Sequence, residues 1–184
     1  MDNSDRSRRY FTSDLHLNET RIGAFNPFFR PFKSVEEQND TIIRNINEIV
    51  RPQDTLYMVG DIAMDLEGVA LLNDIRCKNR VLVLGNYDTD KIDALRGHFQ
   101  SMSDDLELTI GGVDCYLNHY PVKRRPDRFN IVGHIHGLWK VKPNTINVST
   151  DAWHFRPVSE EEILFVHTTM KKGNYDENVF LGCK

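Results

Sequence analysis

Thr55-Leu56-Tyr57-Met58-Val59-Gly60-Asp61 is an apolar run that stops at a glycine and a carboxylate. A run of this length without polar alternation predicts a strand buried on both faces. Upstream, Ser34-Val35-Glu36-Glu37 is a capping box that opens a helix. Val35, Ile42, Ile43, Ile46, Ile49 and Val50 follow at near-helical period, and Arg51-Pro52 ends it. Before that helix, Tyr10-Phe11-Thr12-Ser13-Asp14 is another short strand-like run ending in polar residues. Downstream, a second helix is expected over 66–76. Arg80-Val81-Leu82-Val83-Leu84 is a second buried strand, ending in Gly85-Asn86-Tyr87-Asp88, and a short helix fits 92–99. Strands and helices alternate here, which is the α/β pattern. The second half changes character. Segments 106–110 and 113–117 flank the hairpin turn Gly111-Gly112, and 129–132 and 145–148 are further short strands. Ser159-Glu160-Glu161-Glu162 is a second capping box, opening a last helix that should run to Lys172 and stop at Gly173.

The 184 residues suit one domain, with 1–8 as a solvated leader. Twenty-three basic against 27 acidic side chains give a formal charge of −4, which argues against a general nucleic-acid coat protein. Apolar stretches such as Ile163-Leu164-Phe165-Val166 are too short to span a bilayer, so no membrane partner is expected. The polar, basic N-terminus has no apolar signal core. Cys77, Cys115 and Cys183 are scattered and read as reduced thiols, so a cytoplasmic location is expected. Residues 17–33 are loop-like, and Phe25, Phe28, Phe29 and Phe32 suggest a lid packed on the core.

Polar residues of metal-binding type gather where the apolar strands end. Asp14 and His16 follow the first, Asp61 the second, and Asn86 and Asp88 the third. His119 follows the hairpin strand, and His134 and His136 follow the next. In an extended chain residues two apart share a side, so each such pair can meet one ion. The donors are carboxylates, an amide and imidazoles, without thiolate, which suits manganese, iron or zinc better than calcium. Asp14, His16, Asp61, Asn86, His119, His134 and His136 are too many for one tetrahedral ion. They fit two ions roughly 3.5–4 Å apart with a shared carboxylate, an arrangement that clamps a phosphoryl group.

Ser13-Asp14-Leu15-His16, Gly60-Asp61, Gly85-Asn86-Tyr87-Asp88, Asn118-His119 and Gly133-His134-Ile135-His136 occur in that order. In this the chain resembles the calcineurin-like metallophosphoesterases, over about residues 10 to 137. Asn147-Val148-Ser149-Thr150-Asp151-Ala152-Trp153 and Arg156-Pro157-Val158-Ser159 resemble the tail of small bacterial and phage members. The resemblance implies a four-layer α/β/β/α sandwich with mixed sheets and two divalent ions, manganese first, with iron, zinc or nickel as alternatives. It assigns Asp14, His16 and His136 to one ion, Asn86, His119 and His134 to the other, and Asp61 to both. The implied activity is hydrolysis of a phosphate ester, a diester before a monoester, by a hydroxide shared between the ions. The expected partner is a phosphate-ester substrate, with a nucleotide or nucleic acid as one option.

One position departs from the family motif, which reads Gly-Asn-His-Asp. The motif histidine contacts substrate and protonates the leaving oxygen, and here it is Tyr87. A phenol donates a hydrogen bond but carries no positive charge at neutral pH. Two readings follow: a phosphodiesterase whose leaving group needs less help, or a silent metal-bound scaffold like the retromer subunit with this fold. A phosphomonoesterase or nucleotidase on the same site is the other enzyme alternative. The resemblance casts Tyr87, Asp88 and His119 as catalytic, with Asp88 orienting its neighbours. Lys123, Arg124, Arg125 and Arg128 form a basic cluster that either solvates a loop or holds a second phosphate, through Arg124 and Arg125. Arg30 would reach substrate from the lid.

Overall fold

The computed structural model describes residues 6–21 and 27–171. Phe25, the expected helix end at Lys172 and Gly173, and Cys183 lie outside the described residues.

The first half is built from β1 (Arg9–Thr12), α1 (Val35–Ile49), β2 (Thr55–Val59), α2 (Leu66–Ala70), β3 (Asn79–Val83), α3 (Ile92–Leu95) and β4 (Ser101–Ser103). These strands are parallel and lie side by side in chain order. Right-handed crossovers that always step in one direction place every connecting helix on the same face. Side-chain alternation shows the result. Tyr10, Leu56, Met58 and Leu82 join Ile42, Ile46, Val69 and Leu95 of the helices in one core. Phe11, Val59 and Val83, the intervening residues, point to a second core on the other face.

That second core is completed by β5 (Leu106–Ile110), β6 (Val113–Asn118), β7 (Phe129–Val132), β8 (Val141–Lys142) and β9 (Thr145–Asn147). They form the sheet β5-β6-β7-β9-β8, in which β6, β7 and β9 are parallel and the outer pairs antiparallel. Cys115, Leu117, Phe129, Ile131 and Ile146 fill the space between the sheets. β10 (Val158–Ser159) adds an antiparallel edge to β1, and α4 (Glu160–Lys171) closes the second core with Ile163, Leu164 and Val166. Two mixed sheets with flanking helices are therefore present, as expected.

Both serines cap their helices, but only the second box is reciprocal. Ser34 accepts from the Glu37 N–H at 3.1 Å, although the Glu37 carboxylate reaches back to Lys33 N–H rather than to Ser34. Ser159 and Glu162 cap each other reciprocally, at 3.2 and 2.7 Å. Elsewhere the structure corrects the sequence. The helix expected over 66–76 tightens to a 3-10 turn at Leu71–Asp74. Arg80 and Asn47 side chains take the carbonyls of Leu72 and Asp74 there, replacing further helical bonds. The helix over 92–99 likewise tightens at Arg96–His98. β4, β8 and β10 were not expected; each has only two or three residues, too few for a period. Arg6 and Arg8 are tied down, because Arg8 N–H donates to Asp54 and Arg51 donates to the Arg6 carbonyl. Among the described residues no helix is long and apolar enough to cross a membrane.

Candidate metal centre

The two sheets meet where their parallel strands end. Ser13, just past β1, bridges to Ser149, just past β9. Ser13 N–H donates to the Val148 carbonyl at 3.1 Å, and Thr150 N–H donates to Ser13 at 2.9 Å. Around this seam Asp14, His16 and His136 bring ligand atoms within 4.8 Å of one another, and so do Asp61, His119 and His134. Each triad draws on both sheets.

Asp61 joins the triads. Its Oδ2 lies 3.2 Å from His119 Nε2 and 3.6 Å from His16 Nε2, while its Oδ1 accepts from the Tyr87 N–H at 2.9 Å. One oxygen is thus held by backbone and the other faces a histidine from each group. His119 Nδ1 is 2.8 Å from the Val59 carbonyl, so it carries a proton and turns Nε2 toward Asp61. That Nε2 is buried and makes no hydrogen bond. A buried ring nitrogen without a hydrogen bond, facing carboxylates, suits a cation at that point, whether a proton or a metal ion. The residues therefore fit divalent metal.

The electrostatics agree. Burial opposes a charge on His119, yet Asp61, Asp14 and the Val59 carbonyl outweigh it and push its pKa up to about 9. The site attracts a positive charge. Burial, and then the charge of Arg30, hold His16 well below the usual histidine range, so its ring is neutral and able to ligate. Burial raises Asp14, partly offset by His119 and His136.

Backbone conformation points to the same residues. Asp14, His16, Asp61, His134 and His136 all have φ between +45° and +73°. Left-handed non-glycine residues cost about 1–3 kcal/mol each and persist where surroundings over-determine them. Two glycines make the crowding tolerable. Gly60, at φ +90°, lies under the His119 ring, and Gly85 lies against the Asp61 carboxylate, with no room for a Cβ at either.

The supporting shell was mostly invisible in the sequence. Asp151 Oδ2 is 2.8 Å from His136 Nδ1, fixing that ring as a donor to the carboxylate and its Nε2 as ligand. Burial opposes ionisation of Asp151, but His136 and Arg30 outweigh it and hold the carboxyl well below the usual range. Its place in the tail that resembles the family was the one signal for it. Asn147, fully buried, donates to the carbonyls of His136 and Trp139, both at 2.7 Å.

The other expected residues are placed as follows. Asn86 is exposed in the turn between Gly85 and Tyr87. Asp88 is fully buried and accepts the N–H groups of Asp61, Ile62 and Gly85 at 2.8–2.9 Å, so it shapes the loop that carries Asp61. Tyr87 sets its ring against His16, centroids 4.8 Å apart. Arg30 is turned inward. Its side chain is 2% exposed and binds both Asp151 oxygens and the Leu15 and Asp14 carbonyls, which makes it a brace under the triad, not an arm to substrate. Arg125 pairs with Glu107 and stacks on Tyr116, and Arg124 meets Thr145 Oγ1 at 3.5 Å. Both line an open groove of about 570 Å³ that contains none of the candidate ligands. Lys123 instead stacks on Tyr120, whose ring touches His119 and His134. The lid aromatics divide: Phe29 rests on Gly137 and Phe32 on Phe155, while Phe28 is 92% exposed.

No protein-family model matches the chain. An uncharacterised protein of Methanocaldococcus jannaschii, MJ1445, is 29% identical over 166 residues, covering 84% of this chain and 88% of its own length. The crystal structure of AQ665 from Aquifex aeolicus, a protein of unknown function, matches with a TM-score of 0.72 and 27% identity, over 87% of this chain and 99% of that one. The E. coli phosphoesterase YfcE is a fainter likeness, with 15% identity and a TM-score of 0.47 over 77% of this chain and 78% of its own.

Proposed function

We propose that this chain is a metal-dependent hydrolase of phosphate esters, acting on diesters in preference to monoesters. The observation that carries the reading is the Asp61 carboxylate between two ligand triads, one oxygen facing His16 and His119. Asp14, His16 and His136 would hold one divalent ion, His119 and His134 with Asn86 the other, and Asp61 both. Bound there, the ions supply an acidified water and neutralise charge on the phosphoryl oxygens.

The protein's own groups do the rest. Buried Asp14 and Asp61 set the negative charge of the site, and neutral His16 leaves that charge intact. Asp151 and the Val59 carbonyl fix the tautomers of His136 and His119. Tyr87, at the rim beside His16, offers a neutral hydroxyl to the leaving oxygen. A neutral donor suits the single charge of a diester better than the two charges of a monoester.

The test is a metal count followed by an ester panel. Protein saturated with Mn²⁺ should carry two ions per chain, and Asp61→Asn should weaken both. It should hydrolyse bis-p-nitrophenyl phosphate faster than p-nitrophenyl phosphate, and Tyr87→Phe should slow alkoxide leaving groups more than p-nitrophenolate. The replacement of the motif histidine by Tyr87 favours one competing reading, a silent metal-bound scaffold. Two bound ions with no turnover of cyclic nucleotides, short nucleic acids or either nitrophenyl ester would establish that reading instead.

A further inference from the structure

The rim beside Tyr87 holds a charged pair that no motif announces. Glu19 and Arg21 follow His16 within the same loop. Glu19 is 1% exposed, an unusual burial for a carboxylate. It is spent on one partner. Its Oε1 accepts from Arg21 Nε and from the Arg21 backbone N–H, both at 2.8 Å, and its Oε2 accepts from Arg21 Nη2 at 2.6 Å. The guanidinium is thereby locked in a bidentate fork, yet the Arg21 side chain remains 50% exposed. A buried carboxylate gripping a half-exposed arginine holds the cation still at the surface, which surface ion pairs do not ordinarily do. Burial opposes ionisation of Glu19, but the bonds and charge of Arg21 hold its carboxyl below the usual range. Arg21 is raised in turn by Glu19, then by a hydrogen bond with Tyr87.

Arg21 therefore stands next to Tyr87, and Tyr87 stands next to His16. The chain of contact runs from buried ligand to ring to exposed guanidinium. Guanidinium N–H groups suit phosphate oxygens in number and geometry, and charge-assisted bonds of this type are the strong ones. Because Glu19 cancels the charge of Arg21, the pair adds donors without adding net charge, which matches a phosphodiester monoanion.

We infer that Arg21, oriented by Glu19 and seated beside Tyr87, binds a non-bridging oxygen of the substrate phosphate. Glu19 is a positioning residue for it. This rests on the phosphoesterase reading for its activity arm, and on anion binding alone for its second arm.

The experiment uses Mn²⁺-loaded protein. Arg21→Met should lower kcat/KM on bis-p-nitrophenyl phosphate about 10- to 100-fold, the range for a hydrogen bond to a charged group. It should weaken inorganic phosphate, measured by calorimetry, by a similar factor while two ions stay bound. Arg21→Lys should recover only part, since lysine keeps the charge but cannot make the two-point grip on Glu19 that holds it in place. Glu19→Gln should raise KM more than it lowers kcat, because it frees the guanidinium without removing it. Arg21→Met leaves a buried carboxylate unpaired and can unfold the loop, so the double variant Glu19→Gln, Arg21→Gln removes both charges while keeping hydrogen-bonding groups. It should lose phosphate affinity as Arg21→Met does. Kinetics and phosphate affinity within twofold of the natural protein in both variants overturn the proposal while leaving the phosphoesterase reading intact. A natural protein with two ions and no turnover overturns the phosphoesterase reading. Phosphate affinity then decides Arg21 alone: weakened in the variants it stands as an anion contact, and unchanged it falls.

Discussion

Asp151 shows how much of the centre depends on a residue outside the two ligand triads. It is fully buried at its side chain and touches both His136 and Arg30. Asn at this position keeps one acceptor but loses the charge that orients both partners. Asp151→Asn should weaken the first ion about 10- to 100-fold, the usual cost of losing a carboxylate behind a ligating histidine. Competition with a chromogenic chelator would measure it, and an unchanged affinity would reduce Asp151 to a packing residue. The same carboxylate sets a pH dependence in metal-free protein. Its folded-state pKa is depressed, so the stability it contributes is present above the unfolded value of about 3.9 and is lost as pH falls through the folded value. Denaturant melts at descending pH should show natural protein and Asp151→Asn converging in that acid range. A gap that stays constant down to acid would mean that the charge does not matter.

At the scale of elements, the loops after β1, β2 and β7 hold ligands in backbone conformations that no periodicity announces. The strands themselves were legible as apolar runs, because Leu56, Met58 and Leu82 enter one core and Val59 and Val83 the other, while Tyr57 and Val81 stay half-buried. The ligand motifs were legible because each sits at the end of such a run. Glu19, Arg21, Arg30 and Asp151 were misjudged or unseen, since their roles come from partners 2 to 121 positions away, through contacts that only the folded loops create. Gly85 shows what those loops demand. A methyl there enters the space of the Asp61 carboxylate. Gly85→Ala should displace Asp61 and lower metal occupancy and ester turnover by at least about tenfold, while costing about 1–3 kcal/mol of stability, as overpacking does. An alanine variant that binds both ions normally would show that the turn has slack. The opposite pattern, lost stability with intact metal binding, would locate the strain in β3 instead.

At the scale of the molecule, the seam at Ser13 and Ser149 makes the two sheets mechanically interdependent. The first core belongs to the first sheet and its helices, and the second core is shared between the sheets. The first triad takes two ligands from the β1 loop and one from the β7 loop; the second takes one from the β2 loop and two from the far sheet. Metal that binds only the folded state stabilises it by mass action, about 2.7 kcal/mol at a hundredfold excess over Kd. Chelation should therefore lower Tm, and calorimetry in the presence and absence of EDTA would show it. Equal Tm values would exclude metal from the folded state. Bound ions here would behave as rivets across a joint. With them removed, heat should part the halves out of step, and the calorimetric enthalpy of unfolding should exceed the van't Hoff value, a mismatch that metal then abolishes.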